Sequence, residues 1–575
     1  MKKTITVLGL HCYHDAGAAL IQNGKILAAI NEERLNNIKH YSGYPKNSIE
    51  EVFKISKIDP ATVDAICITN MTTPLWRPED QQMFPNFTYL FNSWSWTTSN
   101  PEGLKHITQY NSRLRILDEL RDIFRNISLP IKKIIFVEHH TAHAAAAYFL
   151  SPWDLDEDVL IFTADGVGDG ISSTISIGRR GQIERLKESE TDVHNSLGLS
   201  FYSALTHYLG MNFAHHPNKV MGLAPYGKAD LAIEKICNII DFENTNKLKF
   251  ENKLKKTGLH IQAELQRILA GYRFDNIAAA TQLHYEKLIT SWINNSIKKT
   301  GIRKIACAGG NFHNIKANQK ILMLEDVDDA FFCPAAGDEG LAVGCSLIGY
   351  YQLAMIDGIK LEKHPLTSAY FGSSYTEEQI EHSLRINGVY HKAERVDNIE
   401  EVIAELIAKK NFVVARFAGS TEWGPRALGN RSILADPSNL LNIRKINFAI
   451  KGRDFWMPFA PSILRKRIDD YLENGKDAPY MILGFNTTSM VKEIIAAVHP
   501  YDMSCRPQTV AADFNPNYEK LISCFESITG IGAILNTSFN LHGFPLVNHP
   551  DVAISTFNQS SLDAMAIGNF LIKKQ

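Results

Sequence analysis

The sequence lacks the features that mark membrane-spanning, disulfide-rich and nucleic-acid-binding proteins. No apolar run approaches the roughly 18 residues that a membrane span needs. The eight cysteines are scattered and form no C-x-x-C motif, so we expect no zinc ribbon, thioredoxin motif or disulfide framework. With 60 basic and 62 acidic residues, the net charge is only −2, which argues against a polycation that binds nucleic acid.

The N-terminal residues also lack the pattern of a signal peptide. The apolar run that follows two lysines breaks at His11, and no small-residue cleavage site follows it. We therefore expect a cytoplasmic protein that binds neither membranes nor nucleic acid. The 575 residues are 45% hydrophobic and 21% charged, which is typical of globular proteins and provides for several domain-sized units.

Two segments, 5–34 and 159–186, share one plan. In each, an apolar strand enters a turn with Asp and Gly, and a second strand follows. Asn23-Gly24 between apolar runs predicts a hairpin in the first segment. The repetition favours an internal duplication in a two-lobed nucleotide-binding fold, with two unrelated hairpins as the alternative.

A change of composition near 356–372 predicts a domain boundary. We place an α/β domain at 1–362 and a second α/β domain at 363–575. The first domain contains an insertion at about 72–130, which is rich in aromatic residues over 72–100. Those aromatic residues either line an acceptor pocket and form a lid, or build a small core under a long loop.

Histidines and aspartates form the first candidate site. In EHHTAHAAAAY, the alanine-rich run predicts a helix, so His139 and His143 lie on one face and His140 points elsewhere. Asp165 follows an apolar strand, and Asp338 lies in a glycine-bounded turn. Two imidazoles with carboxylates suit a catalytic iron, zinc or manganese ion, and a structural histidine pair is the alternative. Glycine turns that could expose N–H groups to an anion are predicted around Gly166, Gly168, Gly309 and Gly310.

A second candidate site consists of cations and amide or hydroxyl donors. In STEWGPRALGNRSILADP, Pro425 is suited to the first position of a helix, and two arginines follow near the helix start. Together with later motifs, these residues suit ATP and a second phosphorylated compound, with surface salt bridges as the alternative. The residues of this predicted anion site are Arg426, Arg431, Lys451, Arg453, Arg506, Asn536, Ser538 and Asn540.

The combination and order of these motifs resemble the NodU/CmcH family of O-carbamoyltransferases, which includes the tobramycin and cephamycin enzymes. The matching runs span nearly the whole chain: YHDAGAAL, EHHTAHAAAAY, DGVGD, KVMGLAPYG, PAAGDEG, EWGPRALGNRSILADP, PFAPS, RPQTV, LNTSFN and SLDAMAIGNF. The resemblance implies an actin/sugar-kinase-like (ASKHA) transferase domain followed by a YrdC-like domain. The K-x-R and S-x-N motifs are similar to the YrdC signature.

The resemblance also implies the chemistry. The second domain would form carbamoyl adenylate from carbamoyl phosphate and ATP with Mg²⁺, using Lys451 and Arg506. The first would transfer the carbamoyl group to a hydroxyl of a small metabolite, such as an antibiotic, another secondary metabolite, a toxin or a sugar. Family members hold Fe²⁺ through residues that match His139, His143 and Asp338, with Asp165 as a second metal or nucleotide contact. His14 matches the base for the acceptor hydroxyl, and Asn314 completes the nucleotide turn. A homodimer is the family expectation.

Some positions depart from the family pattern. The common SSA after YHD reads AGA at Gly17, the usual G-E-x-K reads HHPNK at His215–Pro217, and the glycine turn carries His313. These departures affect the expected identity of the acceptor. Two alternatives remain open: an enzyme that modifies tRNA or protein with the same modules, and a nucleotide-regulated binding protein of the actin superfamily.

Overall fold

The computed structural model describes residues 4–69 and 116–574. The chain forms two compact units. The first comprises Met1–Glu32 and Tyr41–Leu366, and the second comprises Glu33–His40 and Thr367–Gln575. The aromatic segment 72–100 lies outside the described residues, and a helix covers 116–126 at the end of the predicted insertion.

The first unit begins with a five-stranded sheet. Its strands are β1 (Thr6–His11), β2 (Gly17–Gln22), β3 (Lys25–Asn31), β4 (Ala65–Thr69) and β5 (Ile134–Val137), in the order β3-β2-β1-β4-β5. The first three strands form an antiparallel meander, and β4 and β5 run parallel to β1. Asn23 and Gly24 both have positive φ, at 51° and 82°, as the predicted hairpin turn requires.

A second sheet repeats this arrangement. It is built from β6 (Val159–Gly168), β7 (Ile171–Arg179) and β8 (Gln182–Arg185), with β9 (Thr191–Asp192) beside β7. A small hairpin, β10 (Ile240–Phe242) and β11 (Phe250–Asn252), precedes its last strands, β12 (Lys304–Ala308) and β13 (Asp329–Phe332). The order β8-β7-β6-β12-β13, with β12 and β13 parallel to β6, matches the first sheet strand for strand. The predicted duplication is confirmed.

Helices surround the two sheets of the first unit. They are Lys46–Ser56, 116–126, His139–Leu150, Ala204–Tyr208, Pro217–Leu223, Ile233–Ile236, Gly258–Leu269, Phe274–Thr300, Ile315–Leu322 and Leu341–Ile356. The helices His139–Leu150 and Leu341–Ile356 pack so closely that a Cβ at Gly344 would lie 2.0 Å from the carbonyl oxygen of Ala142. This approach brings the turn before the last helix towards the helix with the histidines.

The second unit contains an eight-stranded mixed sheet. Its strands are β14 (Ala393–Arg395), β15 (Val414–Phe417), β16 (Arg431–Ala435), β17 (Ala460–Leu464), β18 (Gln508–Val510), β19 (Ala533–Ser538), β20 (Ala564–Ile567) and β21 (Phe570–Lys573), in the order β14-β21-β20-β15-β16-β19-β17-β18. Its helices are Glu33–Asn36, Glu377–Ile386, Ile399–Lys410, Leu441–Ile446, Ile468–Tyr471, Pro516–Thr529 and Pro550–Gln559. The predicted α/β class of both domains is confirmed, and the first unit contains the duplicated sheet.

The central strands of this sheet are fully buried, and apolar side chains cover both faces. One cluster includes Ile433, Leu535 and Met565, and the other includes Val414, Leu434 and Ile534. The sheet is thus a rigid support for the loops that leave its strands. Throughout the parts of the chain that the structure describes, every helix is too short or too polar to cross a membrane.

Candidate functional site

The two histidines of the first candidate site lie on one helix face. The helix His139–Leu150 begins after Glu138, whose carboxylate accepts the backbone N–H groups of the next turn. His139 and His143 project together, as the i, i+4 spacing predicts. His140 points away and bonds to Thr163 Oγ1 at 2.8 Å, so it supports the fold and not the site.

Two carboxylates complete a compact four-residue cluster. The Nε2 atoms of His139 and His143 are 3.1 Å apart. Asp165 Oδ2 lies 3.0 Å from His143 Nε2 and 3.4 Å from His139 Nε2. Asp338 Oδ1 lies 3.5 Å and 3.6 Å from the same nitrogens. Four candidate ligand atoms therefore lie within 4.8 Å of one another, although their residues are far apart in sequence.

The charges of this cluster favour a cation. Burial lowers the pKa of His143, but the neighbouring carboxylates of Asp165 and Asp338 outweigh it and raise the pKa to about 9, and Asp165 also accepts a hydrogen bond from the ring. Burial raises the pKa of Asp165, whereas the two histidines hold it well below its usual range. Asp338 Oδ1 is buried without a hydrogen bond among the described residues. Two imidazole nitrogens and two carboxylate oxygens around one point fit a divalent metal ion.

Glycines allow the cluster to close. A Cβ at Gly168 would lie 2.0 Å from His139 Cγ, so the close approach of β6 to the helix requires glycine there. Gly309 has a φ of 102°, and a Cβ there would lie 2.1 Å from the carbonyl oxygen of Ala164. Gly310 lies beside Asp165 Oδ1, whereas Gly166 has open space around its Cβ position.

The glycine turn predicted around Gly166 and Gly168 does not begin at Asp165-Gly166. Both residues lie within β6, and the hairpin turn falls at Asp169-Gly170, where φ is 50° and 85°. Asp165 Oδ1 accepts the N–H of Gly166 at 2.6 Å, so the carboxylate is oriented by its own strand.

The glycine turn after β12 ends with His313 and Asn314. Asn314 caps the helix Ile315–Leu322 by accepting the N–H of Ala317, which gives it a structural role in addition to the predicted one. His313 Nε2 lies 2.9 Å from Glu339 Oε1. Burial raises the pKa of Glu339, but His313 outweighs it and lowers the pKa below the ordinary value.

His14 lies in the turn between β1 and β2, with 47% of its side chain exposed. Its Nδ1 lies 3.0 Å from Asp15 Oδ2. Desolvation lowers the pKa of His14, but Asp15, Asp338 and Asp165 outweigh it and raise the pKa to about 10. The carboxylates around His14 therefore favour the protonated form of its imidazole.

His11 is a further residue that sequence reasoning missed. It is buried at the end of β1, with Nε2 2.8 Å from the carbonyl oxygen of His14 and Nδ1 2.6 Å from Thr69 Oγ1. Burial lowers its pKa to about 4, so the imidazole is neutral and donates from Nε2. This residue fixes the turn that carries His14. Its position in the HCYHD run could have indicated it.

The second candidate site lies in the second unit and centres on Lys451. The side chain is buried, and Nζ donates to Ser538 Oγ at 3.0 Å and to Asn540 Oδ1 at 2.7 Å. Ser538 Oγ in turn donates to Asn540 Oδ1 at 2.6 Å. Burial, and then the charges of Arg453 and Lys39, hold the pKa of Lys451 well below its ordinary value. The structure thus brings the K-x-R and S-x-N motifs together.

Three arginines add to this charge. Burial and Arg426 lower the pKa of Arg453 to about 10. Burial and the charges of Arg426 and Arg453 hold the pKa of Arg506 well below its ordinary value. Among the described residues, no carboxylate forms an ion pair with Lys451, Arg453 or Arg506. Buried cations normally have acidic partners, so this arrangement fits an anionic ligand.

Two further predicted donors belong to the fold itself. Arg431 is fully buried in β16 and stacks on Phe417, and its guanidinium donates to the backbone carbonyls of Ala418, Gly419, Ser373 and Asn430. Asn536 donates to Ser462 Oγ and to the carbonyl oxygen of Ala427. These bonds use Nη1 and Nη2 of Arg431 and Nδ2 of Asn536 within the protein, so we leave both residues out of the anion site described below.

The helix expected at Pro425 is not formed. Residues 418–430 form a loop because the buried Glu422 accepts three backbone N–H groups through Oε1, those of Leu428, Asn430 and Arg431. Arg34 supports the same loop by donating to the carbonyl oxygen of Gly424 at 2.9 Å. Arg426 therefore approaches Arg453 and Arg506 from a loop and not from the start of a helix.

The chain is similar to several known proteins over most of its length. The model of the carbamoyltransferase N-terminus matches residues 6–347, and that of the carbamoyltransferase C-terminus matches residues 404–574. Nodulation protein NolNO of Sinorhizobium fredii is 30% identical over 98% of this chain and 79% of that protein. An uncharacterized protein of Synechocystis is 30% identical over 99% of this chain and 96% of its own length. A crystal structure of full-length HypF has a TM-score of 0.32 and 15% identity, and covers 61% of this chain and 56% of that protein.

The first family model covers the cluster of His139, His143, Asp165 and Asp338. The second covers the cation cluster, which consists of Arg426, Lys451, Arg453 and Arg506. Together the two models cover most of the length of the chain, and the resemblance found in the sequence is confirmed. The chain belongs to the carbamoyltransferase family and is a carbamoyltransferase enzyme.

Proposed function

We propose that the enzyme is an ATP-dependent O-carbamoyltransferase with two half-reactions. The second unit forms carbamoyl adenylate from carbamoyl phosphate and ATP. The first unit transfers the carbamoyl group from the adenylate to a hydroxyl of a small metabolite and releases AMP. The acceptor belongs to secondary metabolism, such as an antibiotic or a modified sugar, and no nucleic acid or membrane takes part.

The observation that carries this proposal is the buried cation cluster of the second unit. The charge of Arg453 disfavours the charged forms of both Lys451 and Arg506, and the three residues lack acidic partners among the described residues. A protein would not keep such a cluster for stability, because burial of unpaired charge is unfavourable. Ligands with several phosphates would neutralise it, and ATP with carbamoyl phosphate supplies them.

The proposed activation balances with one molecule of water. Water cleaves carbamoyl phosphate to carbamate and inorganic phosphate. A carbamate oxygen then attacks the α-phosphorus of ATP, and pyrophosphate leaves with Mg²⁺. Lys451 and Arg506 hold the negative charge that develops on the phosphoryl oxygens, and Ser538 and Asn540 keep the lysine in place.

In the first unit, His139, His143, Asp165 and Asp338 would hold a divalent ion, which we propose to be Fe²⁺. Such an ion would bind the phosphate of the adenylate and stabilise its negative charge. The positive charge would also offset Asp165 and Asp338, which raise the pKa of His14. His14 could then lose its proton and act as the base for the acceptor hydroxyl.

The protein should be incubated with ATP, carbamoyl phosphate and Mg²⁺, and pyrophosphate release should be followed. Pyrophosphate that requires both substrates supports the proposal, and an Arg506→Met variant should release none. Pyrophosphate release without carbamoyl phosphate, or no release at all, would show that the second unit has another activity.

A further inference from the structure

A short segment of the N-terminal sequence belongs to the second unit. Residues Glu33–His40 group with Thr367–Gln575, whereas the residues on both sides of this segment group with the first unit. Arg34 ties the segment to the second unit, because its buried guanidinium donates to the carbonyl oxygen of Gly424 at 2.9 Å. This bond spans 390 positions of the chain and holds the segment against the loop that also carries Arg426.

The segment has a fixed conformation that presents Lys39. It forms the short helix Glu33–Asn36 and then a turn in which Asn37 and His40 have positive φ, at 60° and 53°. Glu33 closes this turn, because its backbone oxygen accepts the N–H of Asn37 at 3.0 Å and its carboxylate accepts the N–H of His40 at 2.8 Å. Lys39 lies within the turn and is exposed. Its side chain is therefore carried by an ordered piece of backbone.

The charge of Lys39 reaches the cation cluster. Burial is the main cause of the low pKa of Lys451, and the charges of Arg453 and then Lys39 lower it further. Because solvent screens exposed charges over about 10 Å, Lys39 must lie close to Lys451 to have this effect. The bond of the segment to the loop of Arg426 agrees with that position, since the charge of Arg426 acts on Arg453 and Arg506. Lys39 thus adds a positive charge beside the cluster.

Lys39 differs from the central residue of the cluster in its exposure. Lys451 is buried, and its ammonium donates to Ser538 Oγ and Asn540 Oδ1. These bonds hold the buried ammonium in place within the protein. Lys39, by contrast, is exposed, so it lies where the cluster meets the solvent.

We propose that Lys39 is an ATP-binding residue that holds the outer phosphates of ATP at the exposed edge of the cation cluster. This inference rests on the proposed function. In that reaction the α-phosphorus of ATP is attacked beside buried cations, whereas the β- and γ-phosphates leave as pyrophosphate and must reach the solvent. The exposed edge is therefore where these phosphates lie before they leave. The ammonium of a lysine binds phosphate oxygens as a point charge, which suits a ligand that is later released.

The test measures the binding of α,β-methylene-ATP with Mg²⁺ to the full chain by isothermal titration calorimetry. This analogue keeps all three phosphates, and its methylene bridge prevents release of pyrophosphate, so binding is measured without turnover. Lys39→Met should weaken binding by about threefold to tenfold, as expected for an ion pair at an exposed edge. AMP lacks the outer phosphates, and its affinity should be the same for wild type and variant.

Two further variants separate the charge of Lys39 from any effect on the fold. Lys39→Arg keeps the charge and should bind the analogue within about twofold of wild type. Lys409→Met is the matched control, because it removes an exposed lysine that pairs with Glu405 on the helix Ile399–Lys410, and it should leave the affinity unchanged. The effect of Lys39→Met should also shrink as salt rises from about 0.05 M to about 0.5 M, because salt screens an exposed charge. A purely structural effect would not depend on salt in this way.

Equal affinities of wild type and Lys39→Met for the analogue at low salt would overturn the inference. An equal loss of affinity for AMP would also overturn it, because the contact would then not involve the outer phosphates. Either result would leave the proposed function intact, since pyrophosphate release by the wild-type protein tests that separately. If the wild type released no pyrophosphate, the proposed function would be wrong, and the calorimetry would still show whether Lys39 binds phosphates.

Discussion

Nε2 of His139 lies 3.1 Å from Nε2 of His143, so two buried imidazole nitrogens face each other at hydrogen-bond distance. Two neutral rings satisfy this contact only if one nitrogen donates and the other accepts, and the carboxylates of Asp165 and Asp338 border both. A divalent ion would accept a lone pair from each of the four side chains. The relationship between these histidines is therefore the basis for the metal site in the proposed function.

Gly168→Ala should reduce the metal content of the purified protein. The new Cβ would lie 2.0 Å from His139 Cγ and displace the imidazole. Loss of one ligand should weaken metal affinity by more than the roughly 10–100-fold typical of residues behind the ligands. Inductively coupled plasma mass spectrometry measures the number of metal ions per chain and so checks this loss. Gly166→Ala is the matched control, because nothing lies within 4 Å of its Cβ position. Equal metal content in the two variants would argue against the site.

Arg506→Met should abolish pyrophosphate release and stabilise the fold. The buried guanidinium is close to Arg426 and Arg453, and removing a repelled, desolvated charge should stabilise the protein by about 1–2 kcal/mol. Chemical denaturation followed by fluorescence measures the change. Arg465→Met is the control, because Arg465 pairs with Asp477 and Asp513. That variant should be no more stable than wild type and should keep its activity. A destabilised Arg506 variant would contradict the account.

Lys451→Met should change the dependence of stability on pH. The pKa of Lys451 in the folded state is lowered by burial, so the unfolded chain binds more protons between that pKa and about 10.4. The unfavourable contribution of Lys451 therefore shrinks as pH rises. From pH 6 to pH 9, the free energy of unfolding of the wild type should rise relative to the variant, by at most about 1.4 kcal/mol per pH unit.

The control for this experiment is Lys409→Met, which removes an exposed lysine that pairs with Glu405. Its difference from wild type should stay constant over the same range of pH. A constant difference for Lys451→Met as well would show that burial does not lower the pKa of Lys451 in the folded protein.

His14→Asn should separate the two half-reactions. Because His14 lies in the first unit and the cation cluster in the second, the rate of pyrophosphate release should stay within about twofold of wild type. Transfer should fall by at least the roughly 100-fold expected for loss of a general base. A screen of hydroxylated metabolites with the wild-type enzyme supplies the acceptor, and mass spectrometry of the carbamoylated product measures the transfer. Full transfer by the variant would rule out His14 as the base.

Local patterns predicted the parts of the fold that depend on neighbouring residues. The face shared by His139 and His143 follows from helix geometry, and the hairpin at Asn23-Gly24 follows from the left-handed conformation that both residues tolerate. The expected helix at Pro425 was wrong because Glu422 holds the loop through contacts that only the folded chain reveals. Helix propensity takes no account of a buried carboxylate that accepts backbone N–H groups from a loop.

The candidate sites depended on long-range contacts that a single sequence does not encode visibly. Asp338 follows the approach of two helices at Gly344, and Asp165 lies on β6, which approaches His139 closely at Gly168. Arg431 looked like a phosphate ligand by residue type, yet its guanidinium binds backbone carbonyls. The pair of His313 and Glu339 joins residues that are 26 positions apart, and no local spacing links them.

The most direct test of the central claim is detection of carbamoyl adenylate itself. Purified enzyme should be quenched after incubation with ATP, Mg²⁺ and ¹³C-labelled carbamoyl phosphate, and the nucleotides separated by chromatography with mass spectrometry. We expect labelled carbamoyl adenylate in the wild type and in His14→Asn, and none in Arg506→Met. Labelled adenylate in the Arg506 variant at the wild-type level, or its absence from the wild type while the acceptor is still carbamoylated, would contradict the account.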